Sequence, residues 1–203
     1  GEAGRGRLTR MEEALPPPDG GYTPTGTVET ADVDDDGDPD LFVGTRLAPR
    51  SETTGYGMPV GGALLENTGS GTFRDVTARR APDLRAEELE STGVTDAAWG
   101  DLNGDGAPDL VVAGEWMPLT VFWNRDGQLE RADRSSLGLQ HTRGWWQSVA
   151  LPDLDEDGDV DLVAGNHGLN SRFRARPDEP LRMWAGEFGG EEGIEQILAV
   201  YRG

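Results

Sequence analysis

One ten-residue phrase occurs three times in this chain: DVDDDGDPDL from Asp32, DLNGDGAPDL from Asp101 and DLDEDGDVDL from Asp153. Oxygen-bearing side chains at loop positions 1, 3, 5 and 9 with Gly at position 6 are what a hard cation needs, since Ca²⁺ takes 6 to 8 oxygen ligands at about 2.3 to 2.6 Å. Positions 1, 3 and 5 are Asp32, Asp34 and Asp36, then Asp101, Asn103 and Asp105, then Asp153, Asp155 and Asp157. These side chains are short enough to converge when the backbone curls around one point, where Glu would overshoot. Position 6 is Gly37, Gly106 or Gly158, the residue that takes φ > 0 without a Cβ clash. Position 7 is Asp38, Ala107 or Asp159; because Ala can stand there, a ligand from this position is expected to be the backbone carbonyl. Position 9 is always Asp (Asp40, Asp109, Asp161) and position 10 always Leu (Leu41, Leu110, Leu162). About three calcium sites are expected, one per loop.

An EF-hand begins the same way but needs a bidentate Glu at position 12 and flanking helices. Position 12 here is Val43, Val112 or Ala164, and each loop runs into a short β-branched stretch ended by Gly, a strand signal. The spacing therefore predicts strand-loop-strand sites. A fourth, broken copy, EFGGEEGIEQIL from Glu187, puts Gly189 at position 3 and Glu192 at position 6. It is expected to keep the shape and bind calcium much more weakly, or not at all.

The surroundings of the loops repeat as well. Before each comes a strand pattern (TVETA, GVTDAAWG, WWQSVAL), and further on ALLENTGSGTFRDVT (63–77) and TVFWNRDGQLERAD (120–133) each read as an apolar run, a turn and a second run, the signature of a hairpin. Four short antiparallel strands per repeat describe the blade of a β-propeller. The fold class expected is all-β, a partial propeller of about three to four four-stranded blades. Residues 1–203 would form one domain: the end of a preceding blade at 1–22, units near 23–92, 93–142 and 143–180, and a degenerate unit at 181–203. Residues 46–62 and 78–92 read as insertions. The missing initiator Met and apolar leader suggest an internal or processed fragment, with remaining blades or neighbouring domains elsewhere.

The 203 residues are 35% hydrophobic and 28% charged, with 30 Gly and 13 Pro, a composition that suits a turn-rich β domain. Net charge is −20, which disfavours nucleic acid and anionic membranes as partners. Fifteen of the carboxylates lie in the three loops, so the acidity belongs to the sites rather than to the whole surface. No Cys is present, which excludes disulfides and thiolate metal sites. No stretch approaches the roughly 18 apolar residues of a membrane span.

The D-x-D-x-D-G-x-x-D-L loops between strands resemble FG-GAP/VCBS repeats, the calcium-loop propeller repeats also found in integrin α subunits. More narrowly, GEWMPL (114–119), RGWWQSVA (143–150) and GNHGLNSRFRA (165–175) are similar to bacterial CRTAC-like proteins associated with an ASPIC/UnbV segment, which is itself not in this sequence. The resemblance implies a secreted, periplasmic or cell-surface interaction or adhesion module with a protein or glycan ligand. An alternative is part of a polysaccharide-active enzyme, a propeller lyase or hydrolase; a third is a structural spacer. The sequence contains no G-x-S-x-G, Walker loop, H-E-x-x-H or G-x-G-x-x-G, so no catalytic residue is nominated. Trp99, Trp116 and Trp123 sit in or beside strand patterns and are expected to pack between blades. Trp145 and Trp146 are adjacent, so on a strand they face opposite sides. His141 and His167 read as loop histidines.

Overall fold

The computed structural model describes residues 14–15, 25–46, 61–85, 93–168, 176, 179–186 and 195–199. Twelve strands are present among them. β1 (Thr25–Ala31), β2 (Asp40–Thr45), β3 (Gly62–Asn67) and β4 (Phe73–Asp75) form one antiparallel meander in that order. β5 (Gly93–Gly100), β6 (Asp109–Met117), β7 (Thr120–Arg125) and β8 (Gln128–Arg131) form a second. β9 (Gly144–Ala150) and β10 (Val163–Asn166) begin a third. β9 is joined to the second meander where Glu115 pairs with Trp145 and Met117 with Gly144. β11 (Arg182–Gly186) and β12 (Glu195–Ala199) form a separate antiparallel pair.

β1 lies beside β5 and β5 beside β9, so the first strand of each unit lines the same inner side. That is the arrangement of propeller blades, and the fold is a partial, propeller-like all-β array whose described strands do not close into a ring.

The period of 2 along a strand explains how consecutive apolar residues are all buried. On β6, Leu110 and Val112 face a core shared with Phe42, Leu64, Val94, Phe122 and Leu129. Val111 and Ala113 face the opposite way, into a core with Leu119, Val121, Ala132 and Val149. The first core fills the space between the first two meanders, and the second fills the space between the second meander and the β9–β10 pair. Phe42 and Phe122 have no exposed surface, and each stabilises the array by roughly 2 to 3 kcal/mol through buried apolar area.

The strands expected on either side of the three loops and both hairpins are in place. Asp126 and Gly127, at φ 52° and 76°, make the two-residue turn between β7 and β8, the left-handed pair that a type I′ hairpin requires. The segment expected as an insertion at 78–92 is partly helical: Thr77–Arg80 form one helical turn, α1, and Pro82–Arg85 a 3₁₀ turn. Val76, Ala81 and Leu84 are buried there and cap the end of the first core. The expected blade remnant at 1–22 lies almost wholly outside the described residues. So do most of 46–62, the chain between β10 and β11, and the fourth loop itself.

Trp99 packs against the first core, and Trp123 and Trp146 against the second. Trp116 does not join either core; its ring stacks on Trp145. That stack runs from the second meander to β9 of the next unit, so Trp116 does pack between units, but outside both cores.

Candidate metal centre

The acidic loops span 32–39, 101–108 and 151–162 between their strands, eight residues in the first two and twelve in the third, and the geometry of each starts from two left-handed residues. Position 6 has φ of 90° at Gly37, 90° at Gly106 and 98° at Gly158. A Cβ at any of these would meet no atom within 4 Å, so the backbone angle rather than space demands glycine. Position 4 is left-handed too, at Asp35 (58°), Gly104 (74°) and Glu156 (62°). Sequence reasoning passed over this position because acidic residues occupy it in two loops; Gly104 was the available signal.

The position-1 carboxylate receives the backbone that curls around it. Asp32 accepts from the N–H groups of Asp36 (3.1 Å) and Gly37 (2.9 Å). Asp101 accepts from Gly104, Asp105 and Gly106 at 2.8 to 3.1 Å. Asp153 accepts from Gly158 at 3.1 Å. At position 5, Asp36, Asp105 and Asp157 each accept the N–H of position 7 at 2.9, 2.9 and 3.0 Å.

Position 9 ties the loop to the sheet. Asp40 accepts the N–H of Val33 on one oxygen (3.1 Å) and that of Asn67, at the end of β3, on the other (2.7 Å). Asp109 repeats this with Leu102 (3.1 Å) and Asn124 (2.8 Å), and Asp161 accepts from Leu154 (2.8 Å). Asp109 is fully buried and Asp40 nearly so. Burial pushes both carboxyls above the usual range; the two N–H donors pull each back, and neighbouring loop aspartates push it up again.

Asp32, Asp34 and Asp40 bring one carboxylate oxygen each within 4.8 Å of one another, and Asp153, Asp155 and Asp161 do the same. Oxygens sharing one ion at 2.3 to 2.6 Å can be no more than about 5 Å apart, so both triads have the spacing of a shared cation. Asp36, Asp38, Asp157 and Asp159 stand outside these triads. The second loop has Asn103 at position 3 between Asp101 and Asp109, and Asn103 accepts the N–H of Asp105 at 2.9 Å.

The first loop carries something the others lack among the described residues. Arg80, on α1, donates to Asp34 Oδ2 at 2.8 Å, is 3.1 Å from Glu66, and reaches the carbonyl of Gly127 in the next meander at 3.3 Å. Asp34 Oδ1 is buried and has no hydrogen-bond partner. Asn124, held by Asp109, donates to the carbonyl of Val33 at 2.8 Å. Loop one is thus fastened to the second meander at two points.

Antiparallel units whose first two strands are joined by an acidic loop define a class, the repeat proteins built of strand-loop-strand elements in a propeller-like array. Residues 54–112 and 101–164 each match the FG-GAP-like repeat, together more than half of the chain, and the chain belongs to that family. The matches take in the second and third loops, while the first lies N-terminal to them. No curated protein matches the chain. FG-GAP repeats are found in extracellular adhesion and propeller proteins, generally of the exterior or cell envelope, and are usually non-catalytic. Among the described residues no helix is long and apolar enough to cross a membrane.

Proposed function

We infer that this chain is a calcium-stapled segment of an extracellular or cell-envelope interaction module. The observation that carries the reading is the convergence of the carboxylates of positions 1, 3 and 9 within 4.8 Å in loops one and three. The donor set fits calcium: every side-chain donor is a hard oxygen, and the buried, unpartnered Oδ1 of Asp34 is an acceptor in need of a cation. Position 1 is preset by the N–H groups of the turn, position 9 by those of the sheet, and the position-7 carbonyl and water would complete the six to eight ligands. A bound ion offsets the repulsion of carboxylates crowded into one turn and makes loop formation part of blade stability. The resemblance of GEWMPL, RGWWQSVA and GNHGLNSRFRA to CRTAC-like proteins supports a bacterial cell-envelope setting with a protein or glycan as ligand.

Thermal unfolding of the purified chain in 1 mM CaCl₂ and in EGTA tests the calcium. For a Kd of about 0.1 mM, each independent site adds about 1.4 kcal/mol by mass action, so the calcium curve should lie several degrees higher. Magnesium, which demands near-ideal octahedral geometry at about 2.0 to 2.1 Å, should give a much smaller rise. Superimposed calcium and EGTA curves would end the calcium reading.

A further inference from the structure

Unusual chemistry is also gathered at the end of the blades opposite the acidic loops. The chain leaves loop two along β6 and reaches Trp116 seven residues after Asp109, about 23 Å away at roughly 3.3 Å per residue. β9 starts and β10 finishes at that end, which brings in Trp145 and His167, and Arg46 arrives just beyond β2. Trp145 is the middle ring of a stack, with Trp116 at 5.4 Å and 30° and His167 at 4.6 Å and 23°. The three strings GEWMPL, RGWWQSVA and GNHGLN each supply one ring. Around them, Arg46 is ion-paired with Glu115, and Arg143 donates to the carbonyl of Trp116 at 2.7 Å.

Trp116 has φ of 65°, a left-handed conformation that costs a residue with a Cβ about 1 to 2 kcal/mol. Such strain persists only where the surroundings over-determine it, and it gathers at ligand clamps. Core packing does not account for it, since neither Trp116 nor Trp145 is part of either buried cluster. The ring stack and the Arg143 hydrogen bond hold the residue where relaxed backbone would not.

We propose that Trp116 and His167, the outer rings of the stack braced by Trp145 between them, form the contact faces of a glycan-binding site that takes pyranose rings. A pyranose has an apolar C–H face that lies on aromatic rings and a rim of hydroxyls that need both donors and acceptors. Here the rings, with His167 exposed, are bordered by the guanidinium groups of Arg46 and Arg143 and the carboxylate of Glu115, the mix of aromatic lining and few polar groups that orients small ligands. A peptide added as a strand is disfavoured because both edges of β6 are paired at this point, to β5 through Gly93 and to β9 through Trp145. The inference rests on the interaction-module reading, for which it supplies a site and a ligand class, but not on calcium in the loops.

Calorimetric titration of the chain with cellohexaose, mannohexaose and hexagalacturonate tests it, alongside the variants Trp116→Gly and His167→Ala. Trp116→Gly removes the ring while giving the left-handed position the residue it prefers, so Tm should stay within about 3 °C of the wild type. At least one hexasaccharide should bind saturably, and each variant should weaken that binding tenfold or more with calcium uptake unchanged. The proposal is overturned if none of the three binds, if Trp116→Gly and His167→Ala bind as the wild type does, or if Trp116 serves only to capture peptides from a display library. Calcium uptake without saccharide binding removes the glycan site and leaves the stapled module standing; saccharide binding lost in the variants, with no calcium uptake, does the reverse.

Discussion

At the residue scale, the loops depend on backbone angles that only some side chains accept. Glu156 holds a left-handed conformation at φ 62° where loop two has Gly104 and loop one has Asp35, and a short side chain able to bond locally tolerates that region better than Glu. Glu156→Asn is therefore expected to stabilise the third unit by about 1 kcal/mol, a rise in Tm of roughly 2 to 4 °C. Glu156→Gln removes the same charge but keeps the longer side chain. If the two variants gained equally in thermal scans, relief of charge repulsion rather than of backbone strain would be the cause. The convergence of the carboxylates at positions 1, 3 and 9 in loops one and three was legible in the sequence because it is local. Two features of the same residues were not. The second role of Asp40 and Asp109, accepting from Asn67 and Asn124 across the sheet, depends on residues 27 and 15 positions away. The ring stack of Trp116, Trp145 and His167 joins three separate strings, and nothing in the spacing of any one of them announces it.

At the element scale, the strands and hairpins were readable because alternation and turn chemistry are short-range signals, whereas the helical turn at Thr77–Arg80 was hidden in what read as an insertion. That turn matters because it carries the guanidinium groups that meet Glu66 on β3. Glu66 is nearly buried; burial alone would raise its carboxyl, but Arg74, Arg80 and Arg79 together hold it below the usual range. A carboxyl depressed in the folded chain contributes stability that is present above its unfolded pKa, about 4.5, and is lost as pH falls through the lower folded value. Glu66→Gln keeps the shape and removes the charge, leaving Arg80 between Asp34 and a neutral amide. A loss of about 2 kcal/mol at pH 7 is expected, as for a hydrogen bond to a charged group, or roughly 4 to 8 °C in Tm. The gap between wild type and variant should close on acidification below pH 4.5. A gap that stays constant down to pH 3 would mean that the ion pairs contribute nothing and packing alone was disturbed.

At the scale of the whole molecule, the units are copies of one register, and this allows the fourth to be judged by its ligands alone. In the first two, the residue before position 1 pairs with position 9: Ala31 with Asp40 and Gly100 with Asp109. In the third, Asp161 donates its N–H to the carbonyl of Pro152, the residue before position 1. In the β11–β12 pair, Gly186 pairs with Glu195, which are the residue before position 1 and position 9 of the broken copy EFGGEEGIEQIL. The β11–β12 strands thus meet in the same register across the same eight intervening residues, which lie outside the described region. What differs is chemistry. Position 3 is Gly189, with no side-chain oxygen, and position 6 is Glu192, a residue with a Cβ where the other three loops need φ near 90°. Positions 1, 5 and 9 are Glu187, Glu191 and Glu195, each one methylene too long for so tight a turn. Calorimetric titration of the whole chain should therefore count about three calcium ions of comparable affinity rather than four. The double substitution Gly189→Asp with Glu192→Gly restores the missing ligand and the missing glycine together, and it should add a fourth. A fourth tight site in the wild type, or a double variant that gains no metal, would show that register and ligand grammar do not suffice to build the site.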